Sequence, residues 1–174
     1  MSPRRVAFTI GHSTRSVQDF ISLLLAHHIE LVVDVRTVPR SRRNPQFNRE
    51  TLPQSLQAAE IGYEHGAALG GFRRPGPHSS NAGWRNASFR GYADYMQTAE
   101  FGAAIESLAE RAHRQRFAVM YAEAVPWRCH RSLIADALVA RGIPVEEIIS
   151  ATRTQPHAMT SFARVEGTTI TYPG

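Results

Sequence analysis

Short apolar runs separated by stretches of helical periodicity are what most constrains the fold of this chain. Val6-Ala-Phe-Thr-Ile10, Leu31-Val-Val-Asp-Val35, Phe117-Ala-Val-Met-Tyr-Ala122 and Val145-Glu-Glu-Ile-Ile149 each read as strands. Between the first two, Ser16 stands as a helix N-cap with Asp19 behind it. Val17, Phe20, Ile21, Leu24 and Leu25 then recur at spacings of three and four, which predicts an amphipathic helix to about His28. Strand, helix and strand over 6–35 predict a right-handed parallel crossover.

The same reading continues down the chain. Leu52, Leu56 and Ala59 predict a helix over 48–59, ended by Gly62, with Ile61-Gly-Tyr-Glu-His65 entering a third strand. Gly66 to Ser88 reads as a long loop, and such loops in compact domains are functional or disordered. Helical periodicity returns at Tyr92, Tyr95, Met96 and Ala99 and runs through Ala103, Leu108 and Ala112, with a break near Thr98. Pro126 suits the first turn of a helix that Gly142 ends, and Thr168 to Tyr172 reads as a short edge strand. This alternation predicts one α/β domain over 1–174. Its expected form is a three-layer sandwich, with a mainly parallel sheet of about five strands flanked by helices. The fold would be Rossmann-like without the dinucleotide fingerprint, since no Gly-x-Gly-x-x-Gly follows the first strand.

Composition narrows the functional classes. The chain has 174 residues and is 43% hydrophobic, and no apolar run approaches the ~20 residues that span a bilayer. The first residues lack the apolar core of a secretory signal, so the cytoplasm is the expected location, with no membrane partner. One cysteine excludes an internal disulfide. All 20 lysine-plus-arginine positions are arginine, and the formal charge is +5. Every cationic site can therefore grip a carboxylate or phosphate bidentately, and a polyanionic partner is permitted. Eight histidines are scattered, with no His-Glu-x-x-His or Cys-x-x-Cys pattern, so no metal site is predicted and no cofactor is indicated.

If the strands are parallel, their carboxyl ends gather three polar clusters at one rim, where open α/β sheets bind ligands. The first strand delivers Gly11, His12 and Ser13; the second delivers Asp34, Arg36 and then Ser41 and Arg42. The fourth delivers Glu123 and the Cys129-His130-Arg131 turn at a helix start. His12, Asp34, Glu123, Cys129 and His130 are the catalytic candidates, and Ser13, Arg36, Ser41, Arg42 and Arg131 the anion-binding ones. Cys129 reads either as a nucleophile or as a core residue in line with Leu133 and Ala137. Alanine at 135 rules out a phosphatase-type loop, which needs arginine there. His130 sits at the exposed end of the Ile134 and Leu138 face. Arg131 points off the buried stripe, either as an anion clamp or paired with Glu123 or Asp34. Asp34 and Arg36 leave the same strand face, either as a structural pair or with Asp34 orienting a histidine. In the long loop, Arg73, Arg74, Trp84 and Arg85 interleave aromatics with cations. Such a surface either stacks bases and holds phosphates or packs down as a lid.

These residues, in this order, resemble the bacterial and archaeal domain-of-unknown-function family 488. The resemblance rests on Thr9-Ile-Gly-His-Ser13, Asp34-Val-Arg36 with Pro39 and Ser41-Arg42, Gly62-Tyr63, Leu69-Gly-Gly71, and Tyr92 to Phe101. It continues through Glu123, Cys129-His130-Arg131, Pro156-His157 and Gly167 to Tyr172-Pro173. It implies a single α/β domain and no settled reaction. Family members often carry a cysteine where this chain has Tyr121, so chemistry needing two thiols is not implied here.

The expected function is an enzyme acting on a phosphorylated small molecule, nucleotide or nucleic acid at the sheet rim. Arg36, Arg42 and Arg131 would bind the anion, His12 or His130 would be general acid/base, and Asp34 or Glu123 would orient it. The rival expectation is a non-catalytic nucleic-acid-binding module that uses the arginine-rich loops. A structural or regulatory partner protein is a third. Oligomeric state is not legible in the sequence.

Overall fold

A computed structural model describes residues 5–71, 73–123 and 130–174. Strand β1 (Ala7–Gly11) is followed by helix α1 (Val17–Ala26) and strand β2 (Leu31–Asp34). Helix α2 (Leu52–Ala58) and strand β3 (Gly62–His65) come next, then helices α3 (Ala87–Tyr95) and α4 (Ala99–Arg111). Strand β4 (Phe117–Tyr121), helix α5 (Arg131–Ala140) and strand β5 (Val145–Ile148) complete the parallel framework. Strands β6 (Thr154–Pro156), β7 (Arg164–Glu166) and β8 (Thr169–Thr171) end the chain.

The sheet runs β3-β2-β4-β1-β5-β6. Its first five strands are parallel, and β6 closes one edge antiparallel to β5. Phe8, Ile10, Val32, Ala118 and Met120 form one core with Phe20 and Leu24 of α1 and Leu52 and Leu56 of α2. Ala7, Val33, Val119 and Val145 form a second core with α3, α4 and α5. Alternate residues of each strand thus feed opposite layers, which makes a three-layer α/β sandwich of Rossmann-like form.

Local chemistry explains most boundaries. The Ser16 side chain accepts from the Asp19 N–H to start α1, and Thr98 accepts from Phe101 N–H to start α4, at the expected break. Helix α2 begins at Leu52 rather than 48, because Pro45–Phe47 forms its own short 3-10 turn and Asn48 is occupied. Its side-chain oxygen accepts from the Ser41 N–H, at 2.7 Å. Helix α3 begins at Ala87, earlier than its apolar pattern indicates, because Asn86 caps the exposed first turn.

The expected edge strand at the C-terminus exists as β8, yet it pairs with β7 in a separate hairpin. The sheet edge belongs to β6, whose Thr154 hydroxyl donates to Glu146. The region 66–88 is ordered by two polar side chains. Asp94 accepts from the Gly76 N–H, the Ser79 hydroxyl and the Asn81 amide, while the Asn81 carbonyl accepts from the Tyr172 N–H. Among the described residues no helix is long and apolar enough to cross a membrane.

Candidate active site

Strands β1 and β4 are neighbours, but the chain leaves β1 for α1 on one face and β4 leads to α5 on the other. Adjacent strands whose connections diverge in this way open the crevice that open α/β sheets use for ligands. The two strand ends stay bonded past the sheet, with His12 N–H donating to Tyr121 O and Ser13 N–H to Ala122 O. A Cβ on Gly11 would stand 1.8 Å from the Glu123 carbonyl oxygen, so only glycine permits this approach. Ser13 takes the left-handed conformation at φ 51°, which turns the chain sharply toward α1.

On the α1/α2 face, His12, Asp34 and Arg36 come together as the sequence indicates. His12 is 2% exposed and lies against Phe47, with ring centroids 4.3 Å apart. Its Nδ1 is 2.8 Å from the Ser13 carbonyl. A carbonyl only accepts, so Nδ1 carries the proton and Nε2 presents a bare lone pair. Burial, with Arg36 nearby, pushes the imidazole down to about 4 from 6.5, against the opposing Ser13 hydrogen bond. His12 is therefore neutral near pH 7, and Nε2 has no partner among the described residues.

Arg36 is held rigidly by Asp34. Its Nε donates to Oδ1 at 2.9 Å and its NH2 to Oδ2 at 2.7 Å, and NH2 also donates to the Phe47 carbonyl at 2.6 Å. Tyr63 donates to Asp34 Oδ2 at 2.5 Å, and burial with that carboxylate raises its phenol above the ordinary range. The Arg36 side chain is 5% exposed, and its NH1 has no partner among the described residues. The Asp34 carboxylate is committed to Arg36 and Tyr63, so the orienting group for His12 is the Ser13 carbonyl. Sequence reasoning missed Phe47 and Tyr63. Tyr63 sits in register beside Val32, on the same strand as His65, the register partner of Asp34, and Phe47 is the lone aromatic in an arginine-rich loop.

The fourth-strand candidates lie on the other face. His130 is buried rather than exposed; its Nε2 donates to Leu69 O at 2.9 Å, and its ring packs on Tyr92 and Tyr121. Burial also pushes it down to about 4, against hydrogen bonds to Leu69 and Val35. Arg131 does not point off the helix stripe. It is fully buried, because its guanidinium turns onto the strand ends, where NH1 lies beside Gly11 and donates to the Glu123 carbonyl. Its ion-pair partner is Glu147, at 2.9 Å, instead of Glu123 or Asp34. Thr9 donates to the same Glu147 carboxylate, whose pKa burial raises against the pull of Arg131.

Glu123 contributes its backbone carbonyl to Arg131, at 2.9 Å, while its side chain is exposed. The three polar clusters expected at one rim are thus divided between the two faces of the sheet. Glu147 was legible only as a charge inside an apolar strand. Cys129 and Pro126 lie outside the described residues.

The remaining candidates are loop residues. The Ser41 hydroxyl accepts from Asn44 N–H, and Arg42 is exposed on the loop that joins β2 to α2. Arg73 lies over the Tyr95 ring at 3.7 Å, whereas Arg74 and Arg85 are exposed. Trp84 is not a free stacking platform; it packs among Phe89, Phe162 and Tyr172. Among the described residues no three His, Cys, Asp or Glu side chains gather as a metal site.

A mostly parallel α/β sandwich with a histidine and an ion-paired arginine at its strand ends defines the class. The family model "Domain of unknown function DUF488" matches residues 16–138, and the chain belongs to that family. Neither a curated protein nor a solved structure matches the chain.

Proposed function

We propose that this protein is an enzyme acting on a phosphorylated small molecule, nucleotide or nucleic acid, with His12 as general base and Arg36 as anion donor. One observation carries the reading. His12 Nε2 and Arg36 NH1 are both shielded from solvent, lack partners among the described residues, and stand at strand ends on one face. Buried polar atoms are almost always paired, so an acceptor and a cationic donor in one cluster without partners among the described residues support a ligand-binding role. A neutral imidazole with a fixed tautomer presents its Nε2 lone pair to a proton donor, and a guanidinium clamped at Nε and NH2 offers NH1 to an oxyanion.

Arg131 is committed to Glu147 and lies across the sheet, so it has no part in this reading. Arg42 keeps its proposed role together with its exposed neighbours Arg40, Arg43 and Arg49. Of these, Arg40 pairs with Glu50 at 3.5 Å in an exposed contact worth little. This basic loop also favours a second reading, a nucleic-acid-binding module without chemistry.

Steady-state assays over a panel of phosphoesters and nucleotides test the first reading. Turnover by the wild type should fall about 10²-fold or more in His12→Phe. Absence of turnover across the panel, or turnover unchanged in the variant, would overturn it. The second reading requires binding to single-stranded nucleic acid that weakens steeply with salt, by roughly −0.7 in log–log slope per neutralised phosphate.

A further inference from the structure

We propose that the His12–Arg36 cluster selects oxyanions that carry their own proton, so that it binds hydrogen phosphate and phosphate monoester monoanions and rejects sulfate. This inference rests on the reading of that cluster as the reaction centre and names the ligand chemistry it takes.

The two unpartnered atoms have opposite hydrogen-bonding character. Arg36 NH1 can only donate, whereas His12 Nε2 can only accept, because Nδ1 holds the imidazole proton against the Ser13 carbonyl. The two side chains are held in place. Asp34 and the Phe47 carbonyl occupy the other Arg36 donors, and Phe47 stacks on the imidazole. Reversing the tautomer would set the Nδ1 lone pair against the Ser13 carbonyl. Burial resists the imidazolium as well, so the histidine does not supply a proton near neutral pH.

A ligand that satisfies both atoms must therefore accept at one oxygen and donate at another. Hydrogen phosphate does so near neutral pH, and a phosphate monoester does so as its monoanion, the minor form above its second pKa of about 6. Sulfate has only acceptor oxygens there. It would satisfy Arg36 but leave the Nε2 lone pair facing an anion. Both protein atoms are out of solvent contact, with Phe47 of the 37–48 loop stacked on the imidazole. Covered in this way, the unmet acceptor in the sulfate complex has no water to relieve it.

The test is isothermal titration of the wild-type chain with inorganic phosphate and, separately, sodium sulfate at pH 7 and equal ionic strength. Phosphate should bind about tenfold to a hundredfold more tightly, the range expected for leaving one buried acceptor unmet. In His12→Phe, which keeps the ring stacked on Phe47, the preference should vanish while sulfate affinity holds or rises.

A second readout needs no variant. Long-range ¹⁵N spectra of the wild type should show the His12 Nε2 resonance moving on addition of phosphate and staying in place with sulfate. Equal affinity for the two anions, binding of neither, a preference that survives in His12→Phe, or a shift produced equally by both would each overturn the proposal. Anion binding without preference would remove the selectivity and leave the enzymatic reading standing. Preferential phosphate binding in a chain that turns over no phosphoester would do the reverse.

Discussion

The imidazole of His12 lies flat against the ring of Phe47, the two planes only 20° from parallel. Phe47 in turn meets Phe20 of α1 edge-on, at 5.1 Å, and its carbonyl accepts from Arg36. One aromatic residue from the β2–α2 loop thus joins the first helix, the end of the first strand and the Asp34–Arg36 pair. Phe47→Ala should cost about 3–5 kcal/mol, as large aromatic truncations in cores do, and should let the His12 pKa rise toward 6.5. Urea unfolding and an NMR titration of His12 check the two parts; an unmoved pKa would show that Phe47 does not keep the imidazole dry.

His12 and His130 are both pushed down to about 4 by burial. Between that value and 6.5 the unfolded chain binds more protons than the folded one, so stability rises with pH across this window. Acidification should weaken the fold progressively from about pH 6.5 to pH 4, by a few kcal/mol in all. Substituting either histidine with Phe should flatten the slope there. Denaturant midpoints measured at half-unit steps of pH test this, and an unchanged slope in both variants would refute it.

Glu147 and Arg131 form a buried ion pair across β5 and α5, at 2.9 Å. Glu147→Ala should destabilise by about 3–5 kcal/mol, because it strands a buried cation. The double variant Glu147→Leu/Arg131→Met should be more stable than either Glu147→Leu or Arg131→Met alone. Additive losses in this cycle would mean that the two groups are not coupled.

Gly11→Ala should be among the most damaging small changes in the chain. Its Cβ would meet the Glu123 carbonyl at 1.8 Å and Arg131 NH1 at 2.8 Å. The β1 and β4 ends must then part, at a cost above the roughly 1–3 kcal/mol of ordinary overpacking. Gly102→Ala, where an added Cβ meets nothing within 4 Å in helix α4, is the control and should be neutral or mildly stabilising. Thermal melts of the two variants decide the comparison.

The framework was legible because its signals are local. Apolar runs became β1, β2, β4 and β5, and three-and-four spacing became α1 and α4. The terminal strands were less legible. Thr154–Pro156 and Arg164–Glu166 are short and mostly exposed, so neither shows an alternating pattern. Asp94 and Asn81 order the 66–88 region through side-chain hydrogen bonds that no periodicity records.

The sequence by itself determined the α/β class, the polar residues carried at the strand ends, and the pairing of Asp34 with Arg36, two residues apart on one strand face. Tertiary structure alone decided which polar residues share a side of the sheet. His12 and Arg36 both contact Phe47, while His130 and Arg131 are buried across the sheet against Leu69 and Glu147. The physical reason is that alternation along a strand is a local property, whereas the layer each face receives depends on strand order. That order is set by packing helices over both faces, through contacts between residues far apart in the chain.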